Sequence, residues 1–86
     1  MPPVTIYTKT WCPYCMAAKD LLNQKGIAFT EIEISGKPDL RDEMLRKANG
    51  RSTVPQIFIG SRHVGGCDDL YALDRKGELD KLLAAA

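Results

Sequence analysis

Residues 4–15, VTIYTKTWCPYC, decide the fold of this 86-residue chain. Apolar and polar side chains alternate over Val4–Thr8, which predicts a short β-strand. Pro13 suits the first turn of a helix, because its missing N–H would have no helical partner there. Cys12 and Cys15 are therefore predicted to lie where a strand gives way to a helix, one helical turn apart.

The two cysteines have the position and the spacing of a redox pair. A cysteine directly before a helix faces unpaired backbone N–H groups and the positive end of the helix dipole, which favour the thiolate over the thiol. Because the thiolate is the nucleophile in disulfide exchange, Cys12 is the predicted attacking residue. Cys15 is close enough to attack a disulfide on Cys12 and to close a Cys12–Cys15 bond.

The rest of the sequence predicts a small α/β domain. Its elements pack most simply as one mixed four-stranded sheet, the first two strands parallel and the last two a hairpin, with helices on both faces. The cysteine pair then lies at the C-terminal end of the first strand, where such sheets bind ligands. The predicted elements after the first strand are a helix from Pro13 that stops at Lys25 and Gly26, an edge strand over Phe29–Ile34, a helix from Pro38 to Asn49 and Gly50 that buries Leu40, Met44, Leu45 and Ala48, strands Gln56–Ile59 and Arg62–Gly65 around Gly60 and Ser61, a helix from Cys67 or Asp68, and a last amphipathic turn or two after Gly77 before the alanine tail.

The charge, the cysteine count and the N-terminal sequence argue against several classes of function. The formal net charge is +1 with acids and bases interspersed, which argues against binding nucleic acid or a membrane surface through bulk charge. Three cysteines are an odd number and too few for the disulfide framework of a small secreted domain. Residues 1–3 show no secretory signal, and no apolar run approaches the length of about 18 residues typical of a membrane span. We therefore expect a soluble, cytoplasmic protein with one domain over residues 1–86.

Further motifs give the chain a family resemblance. Residues 7–9 (YTK) precede the CPYC tetrad, TVPQIFI occupies residues 53–59, and GGCDD occupies residues 65–69. From Val4 to Leu83 the chain resembles a dithiol glutaredoxin. The resemblance implies a thioredoxin-like fold with strand order 2-1-3-4, glutathione as co-substrate and electron donor, and no tightly bound cofactor. It also implies a monomer that reduces protein disulfides and glutathionylated proteins, among which ribonucleotide reductase is a candidate.

The resemblance also implies which residues act. Cys12 and Cys15 are the expected catalytic pair. Pro55 is expected to be cis, as in the family, which would leave the N–H and C=O groups of Val54 free to pair with an extended peptide. The expected glutathione-binding residues are Lys9, Tyr14, Arg41, Thr53, Val54, Pro55, Gly66, Cys67 and Asp68.

Each charged end of glutathione has predicted partners. Bare N–H groups at the start of the helix after Gly66 are expected to bind the α-carboxylate, and Asp68, which is also predicted to cap that helix, to accept the α-ammonium group. Lys9 is the better candidate for binding the carboxylate at the glycine end, and Arg41 is the second candidate. The alternative for each residue is a solvated surface charge without a role. Arg51 is predicted to be a surface residue without a role.

Three residues leave alternatives open. Trp11 stands where the family often has a small or polar residue, and it is predicted either to alter the rim of the site or to be partly buried. His63 is predicted to be a surface residue and not a catalytic base. Cys67 is either an inert thiol at the start of a helix or a slow regulatory site for glutathionylation or dimerisation.

Three other functions compete with glutathione-dependent reduction. Cys12 of two subunits, together with two glutathiones, could hold a [2Fe–2S] cluster, as in some glutaredoxin relatives. The three cysteines and His63 have the ligand count of a structural zinc site, but their spacing differs from that of typical zinc motifs, and we expect no metal site. A redoxin that receives electrons from thioredoxin reductase would share the chemistry, and the residues matched to glutathione argue against it.

Overall fold

The computed structural model describes residues 2–84, and the order and type of its elements agree with the prediction. No helix in this range combines the length and the apolar character that crossing a membrane requires. Residues 85 and 86 of the predicted alanine tail lie outside the described residues. The elements are β1 Val4–Thr8, α1 Pro13–Gln24, β2 Thr30–Glu33, α2 Pro38–Lys47, β3 Gln56–Ile59, β4 Arg62–Gly65, α3 Cys67–Arg75 and α4 Glu78–Ala84.

The strands form one mixed sheet in the order β2-β1-β3-β4, which confirms the predicted order. β1 runs parallel to β2 and antiparallel to β3. β3 and β4 form the predicted hairpin around Gly60 and Ser61, with an irregularity in register between Ile57 and Phe58. β1 is one of the two inner strands of the sheet. The loop that follows the C-terminal end of β1 leads into α1, and the cysteine pair lies at this junction.

The edge strand β2 is shorter than predicted. It spans Thr30–Glu33 instead of residues 29–34, and its ladder with β1 begins at the pair Thr5 and Thr30. Ile34 lies beyond the strand, although its N–H still donates to the Thr8 carbonyl at 2.8 Å. Glu31 forms an ion pair with Lys19 at 2.9 Å, so the exposed edge carries charge as expected.

The core consists of two layers, one on each face of the sheet. On the first face α1, α3 and α4 bury apolar side chains against alternate residues of β1 and β3, such as Ile6 and Ile57. On the second face Met44 and Ala48 of the α2 segment pack with Tyr7 and Phe58. This alternation along β1 is the period-two pattern that predicted the strand. Leu40 and Leu45, which were predicted to be buried with Met44 and Ala48, are only half-buried.

Candidate active site

The cysteine pair is positioned by the transition from β1 to α1. Cys12 is the N-cap of α1, with extended backbone angles, and Pro13 occupies the first helical position. The backbone N–H of Cys15 donates a hydrogen bond to the Cys12 sulfur at 3.2 Å, as the third residue of a helix does to an N-cap side chain. The Cys12 sulfur is therefore held at the positive end of the helix dipole, where negative charge is favoured.

The two thiols differ in their access to solvent. Cys12 is half-buried, whereas Cys15 is 1% exposed. Burial raises the pKa of the Cys15 thiol to about 12, with the hydrogen bond to Cys12 as the second cause and the backbone N–H of Lys9 acting against both. Cys15 is therefore protonated at neutral pH. The geometry leaves Cys12 as the sulfur that a substrate can reach.

Large apolar side chains flank Cys12 in the sequence and are exposed. Trp11 is 93% exposed, Tyr14 65% and Met16 60%. Trp11 also has a left-handed backbone with a φ of 60°, which is uncommon for a bulky residue. The alternative in which Trp11 is partly buried is wrong, because the turn before α1 leaves its side chain in solvent. Tyr14 is exposed, as predicted.

The loop before β3 forms one wall of the site. The peptide bond between Val54 and Pro55 is cis, which confirms the expectation for Pro55. The Cys12 thiol donates to the Val54 carbonyl oxygen over 3.8 Å, a long and weak sulfur contact. The loop thus places this carbonyl beside the nucleophile, and its pairing with an extended peptide stays a prediction.

The start of α3 forms the second wall. Gly66 is the N-cap, and its N–H donates to the Asp69 carboxylate at 2.8 Å, as in a capping box. The prediction that Asp68 caps this helix is wrong, because α3 begins at Cys67 and Asp68 is its exposed second residue. The hydrogen bond from Gly66, and after it the Arg51 guanidinium, hold the pKa of Asp69 below its usual range.

The predicted glutathione-binding residues are divided between two cavities. Lys9 and Arg41 line a cavity of about 280 Å³ together with Lys37. The other seven residues line a cavity of about 350 Å³ between the two walls described above. Their role in binding glutathione stays a prediction. These seven are Tyr14, Thr53, Val54, Pro55, Gly66, Cys67 and Asp68.

Sequence reasoning missed two residues that line the larger cavity, Arg51 and Asp69. Arg51 was predicted to be a surface residue without a role, but its Nη1 pairs with Asp69 Oδ2 at 3.2 Å. Both side chains are about half exposed, so the pair adds little stability and mainly shapes the cavity. The signals were present in the sequence, because Arg51 directly precedes the STVP run and Asp69 follows Gly66 at the spacing of a capping box.

The remaining titratable residues near the site differ in their surroundings. His63 is half-buried and its ring stacks on Phe58 with centroids 4.9 Å apart, so the prediction of a surface residue is wrong. Cys67 is buried, and burial raises the pKa of its thiol, with the Asp68 charge as the second cause.

Within residues 2–84 no cluster of three or more potential metal ligands occurs, so the geometry gives the zinc alternative no support.

Known proteins resemble the chain over nearly its whole length. The glutaredoxin family model matches residues 4–64. A glutaredoxin of Pseudomonas aeruginosa is 65% identical over 85 residues, which cover 99% of this chain and all of that protein. The solution structure of glutaredoxin from Brucella melitensis superposes with a TM-score of 0.84 at 60% identity, covering 96% of this chain and 89% of that one. A crystal structure of a buckwheat glutaredoxin–glutathione complex gives a TM-score of 0.85 at 35% identity, covering 95% and 76%.

These matches confirm two predictions made from the sequence. The structural neighbours are glutaredoxins, so the fold is thioredoxin-like. The family model includes both cysteines of the CPYC tetrad and the whole sheet up to Val64. The chain thus belongs to the glutaredoxin family, whose members are glutathione-dependent thiol–disulfide oxidoreductases.

Proposed function

We propose that this protein reduces glutathione mixed disulfides and protein disulfides, with Cys12 as the nucleophile and Cys15 as the resolving thiol. The observation that carries the proposal is the asymmetry of the pair. Cys12 is accessible at the mouth of α1, while Cys15 is buried and has a pKa raised to about 12. Only Cys12 can therefore supply a thiolate to an incoming disulfide at neutral pH.

A glutathionylated protein requires only Cys12. The Cys12 thiolate attacks the glutathione sulfur, a Cys12–glutathione disulfide forms, and the protein leaves as a thiolate that takes up a proton. The thiolate of a second glutathione then attacks the glutathione sulfur of that adduct. Oxidised glutathione is released and the Cys12 thiolate is regenerated.

A protein disulfide requires both cysteines. Attack by Cys12 forms a mixed disulfide with one substrate sulfur and releases the other as a thiolate. Cys15 then attacks the Cys12 sulfur, the second substrate sulfur leaves, and the departing thiolate accepts the proton that Cys15 loses. Two glutathione molecules reduce the resulting Cys12–Cys15 disulfide and become one molecule of oxidised glutathione.

The larger cavity is the proposed site for the γ-glutamyl end of glutathione. The Asp68 carboxylate would accept the α-ammonium group, and the N–H groups at the start of α3 would bind the α-carboxylate. Lys9 directly follows β1, and Arg41 lies on α2. These two residues would bind the carboxylate at the glycine end. The glutathione complex of the buckwheat glutaredoxin, which has the same fold, supports glutathione as the ligand.

The remaining features of the proposal follow from composition and from the family. We propose a cytoplasmic monomer without a tightly bound cofactor, whose substrates are glutathionylated proteins and protein disulfides, with ribonucleotide reductase as one candidate. The near-neutral net charge supports recognition of substrates through the site and its rim instead of through bulk charge.

The binding proposal is tested by varying the glutathione concentration with a small glutathione mixed disulfide as substrate. Asp68→Asn and Lys9→Ala should each raise the KM for glutathione by about 10- to 100-fold, since a charge-assisted hydrogen bond contributes about 1.5–3 kcal/mol. Asp42→Asn, which changes an exposed carboxylate on α2, is the matched control and should leave the KM unaltered. Wild-type kinetics in both site variants would show that glutathione binds elsewhere.

A further inference from the structure

Gln56 is a fully buried polar side chain with no part in the proposed chemistry. It is 0% exposed at the start of β3, directly after the wall of the larger cavity. Its amide nitrogen donates to the Thr53 carbonyl at 2.9 Å and to the Thr53 hydroxyl at 3.1 Å. Gln56 therefore binds the backbone and the side chain of a residue that lines the cavity.

These two bonds determine which way the Gln56 amide faces. If the amide were turned over, its oxygen would face the Thr53 carbonyl, and two acceptors would meet. With the nitrogen toward Thr53, the buried oxygen Oε1 needs a donor from another side. His63 provides that donor, because its Nε2 lies 2.6 Å from Gln56 Oε1.

The same argument assigns the proton on His63. A donor at Nε2 requires the tautomer with hydrogen on that nitrogen, and the ring that carries it stacks on Phe58. Burial, and after it the Arg51 charge, lower the pKa of His63, which favours the neutral ring. The hydrogen bonds thus form a chain in one direction, from His63 to Gln56 to Thr53.

We propose that His63 and Gln56 are positioning residues that hold the Thr53–Val54 segment in the form that binds glutathione. The inference rests on the proposed function, in which this segment forms part of the glutathione site. Thr53 is exposed and lies outside any helix or strand, so its placement depends on side-chain contacts of this kind. Neither positioning residue lines the cavity, and both act through Thr53.

Two substitutions of His63 separate the hydrogen bond from the packing. His63→Phe keeps an aromatic ring that can stack on Phe58 but has no donor, whereas His63→Gln has a donor but no ring. Without the donor, the buried oxygen of Gln56 is unpaired and the loop is released, so we expect the KM for glutathione to rise about tenfold in His63→Phe. His63→Gln should restore the KM to within about threefold of wild type, and kcat at saturating glutathione should be unchanged in both.

The experiment also includes a control and a measurement on the wild-type protein. Arg62→Gln changes an exposed residue of the same strand and should behave as wild type. Nitrogen chemical shifts of the His63 ring, measured by NMR on the unmutated protein, should show the hydrogen on Nε2. This measurement keeps the proposal open to refutation even if a variant fails to fold.

The possible results have distinct meanings. A raised KM in His63→Phe that His63→Gln rescues supports the positioning role. An unchanged KM in His63→Phe, a loss in His63→Gln alone, or a hydrogen on Nδ1 in the wild type would overturn it, while the proposed function would stand. A wild-type protein whose rate shows no dependence on glutathione would overturn the proposed function and this inference together.

Discussion

The N–H of Cys15 donates to the sulfur of Cys12 at 3.2 Å, so the nucleophile is bound by the turn of helix that carries its resolving partner. The contact stabilises negative charge on Cys12, because its donor is a backbone N–H that keeps its proton. The Cys15 thiol itself stays protonated, with a pKa raised to about 12 by burial and by Cys12. One short segment thereby gives two cysteines opposite chemical roles.

The first prediction separates the two cysteines by substrate. Cys12→Ser should abolish activity on both a small glutathione mixed disulfide and a protein disulfide, because the accessible sulfur is gone. Cys15→Ser should keep its activity on the glutathione mixed disulfide, since glutathione can resolve the Cys12 adduct, and should fail on protein disulfides that need an internal thiol. Both variants are assayed with glutathione as the sole reductant. Activity in Cys12→Ser together with an inactive Cys15→Ser would reverse the assignment.

The second prediction concerns Gly65, whose φ is 117°. A Cβ here would overlap the Asp69 carboxylate and approach Arg51 Nη1 to 2.8 Å, so Asp69 would have to leave Gly66. We expect Gly65→Ala to lower the free energy of unfolding by about 2–3 kcal/mol, from left-handed strain and the lost cap, and to raise the KM for glutathione.

Gly26 provides the matched control for this substitution. Its φ is 69°, and a Cβ there meets no described atom within 4 Å. Gly26→Ala should therefore cost only the left-handed strain of about 1–2 kcal/mol and leave the KM unchanged. Urea unfolding of both variants gives the comparison, and equal losses would mean that the contact with Asp69 is unimportant. Removing the carboxylate with Asp69→Ala should bring the cost of Gly65→Ala close to that of the control.

The third prediction concerns the exposed, left-handed Trp11. Asparagine tolerates this backbone conformation better than a bulky residue, and a side chain that is 93% exposed loses almost no buried area when it is replaced. Trp11→Asn should therefore raise the free energy of unfolding by about 0.5–1 kcal/mol. Asn49 has a φ of 55°, so Asn49→Ala should lower the free energy of unfolding by a similar amount. A destabilised Trp11→Asn would show that Trp11 contributes contacts in solution.

The helices and strands could be predicted almost entirely because their signals are local, whereas the strand order came from the family resemblance. Alternation over Val4–Thr8 identified the central strand, Pro13 marked the start of α1, and Gly60 with Ser61 marked the hairpin. The end of β2 was less predictable, because Phe29 and Ile34 continue the apolar pattern while only the middle residues pair with β1. Hydrophobic periodicity indicates which side chains are buried. The ends of a strand are instead set by its hydrogen bonds to the partner strand, which periodicity does not predict.

The site was less predictable than the fold, because its details depend on contacts between distant segments. Arg51 and Asp69 each lie next to a recognisable motif, but their pairing could not be predicted because the two residues are 18 positions apart in the sequence. His63 has polar neighbours and was therefore expected on the surface, yet Phe58 and Gln56 on the paired strand give it a stacking surface and an acceptor. The cis peptide before Pro55 was foreseen only through the family resemblance.

The last prediction concerns stability at alkaline pH. Tyr7 is fully buried and its hydroxyl donates to Glu43 at 2.5 Å, so burial, and after it Glu43, raise the pKa of Tyr7 well above its ordinary value. Above pH of about 10 the unfolded chain releases the Tyr7 proton while the folded protein keeps it, so the free energy of unfolding falls by about 1.4 kcal/mol per pH unit because of this residue.

Tyr7→Phe should be less stable than wild type at pH 7, because the hydrogen bond is lost, and its stability should decline less steeply between pH 10 and 11. Urea unfolding under reducing conditions measures both slopes. Buried Cys15 should leave a residual decline in both proteins from about pH 9, and parallel slopes for wild type and Tyr7→Phe would show that Tyr7 ionises as readily in the folded state as in the unfolded chain.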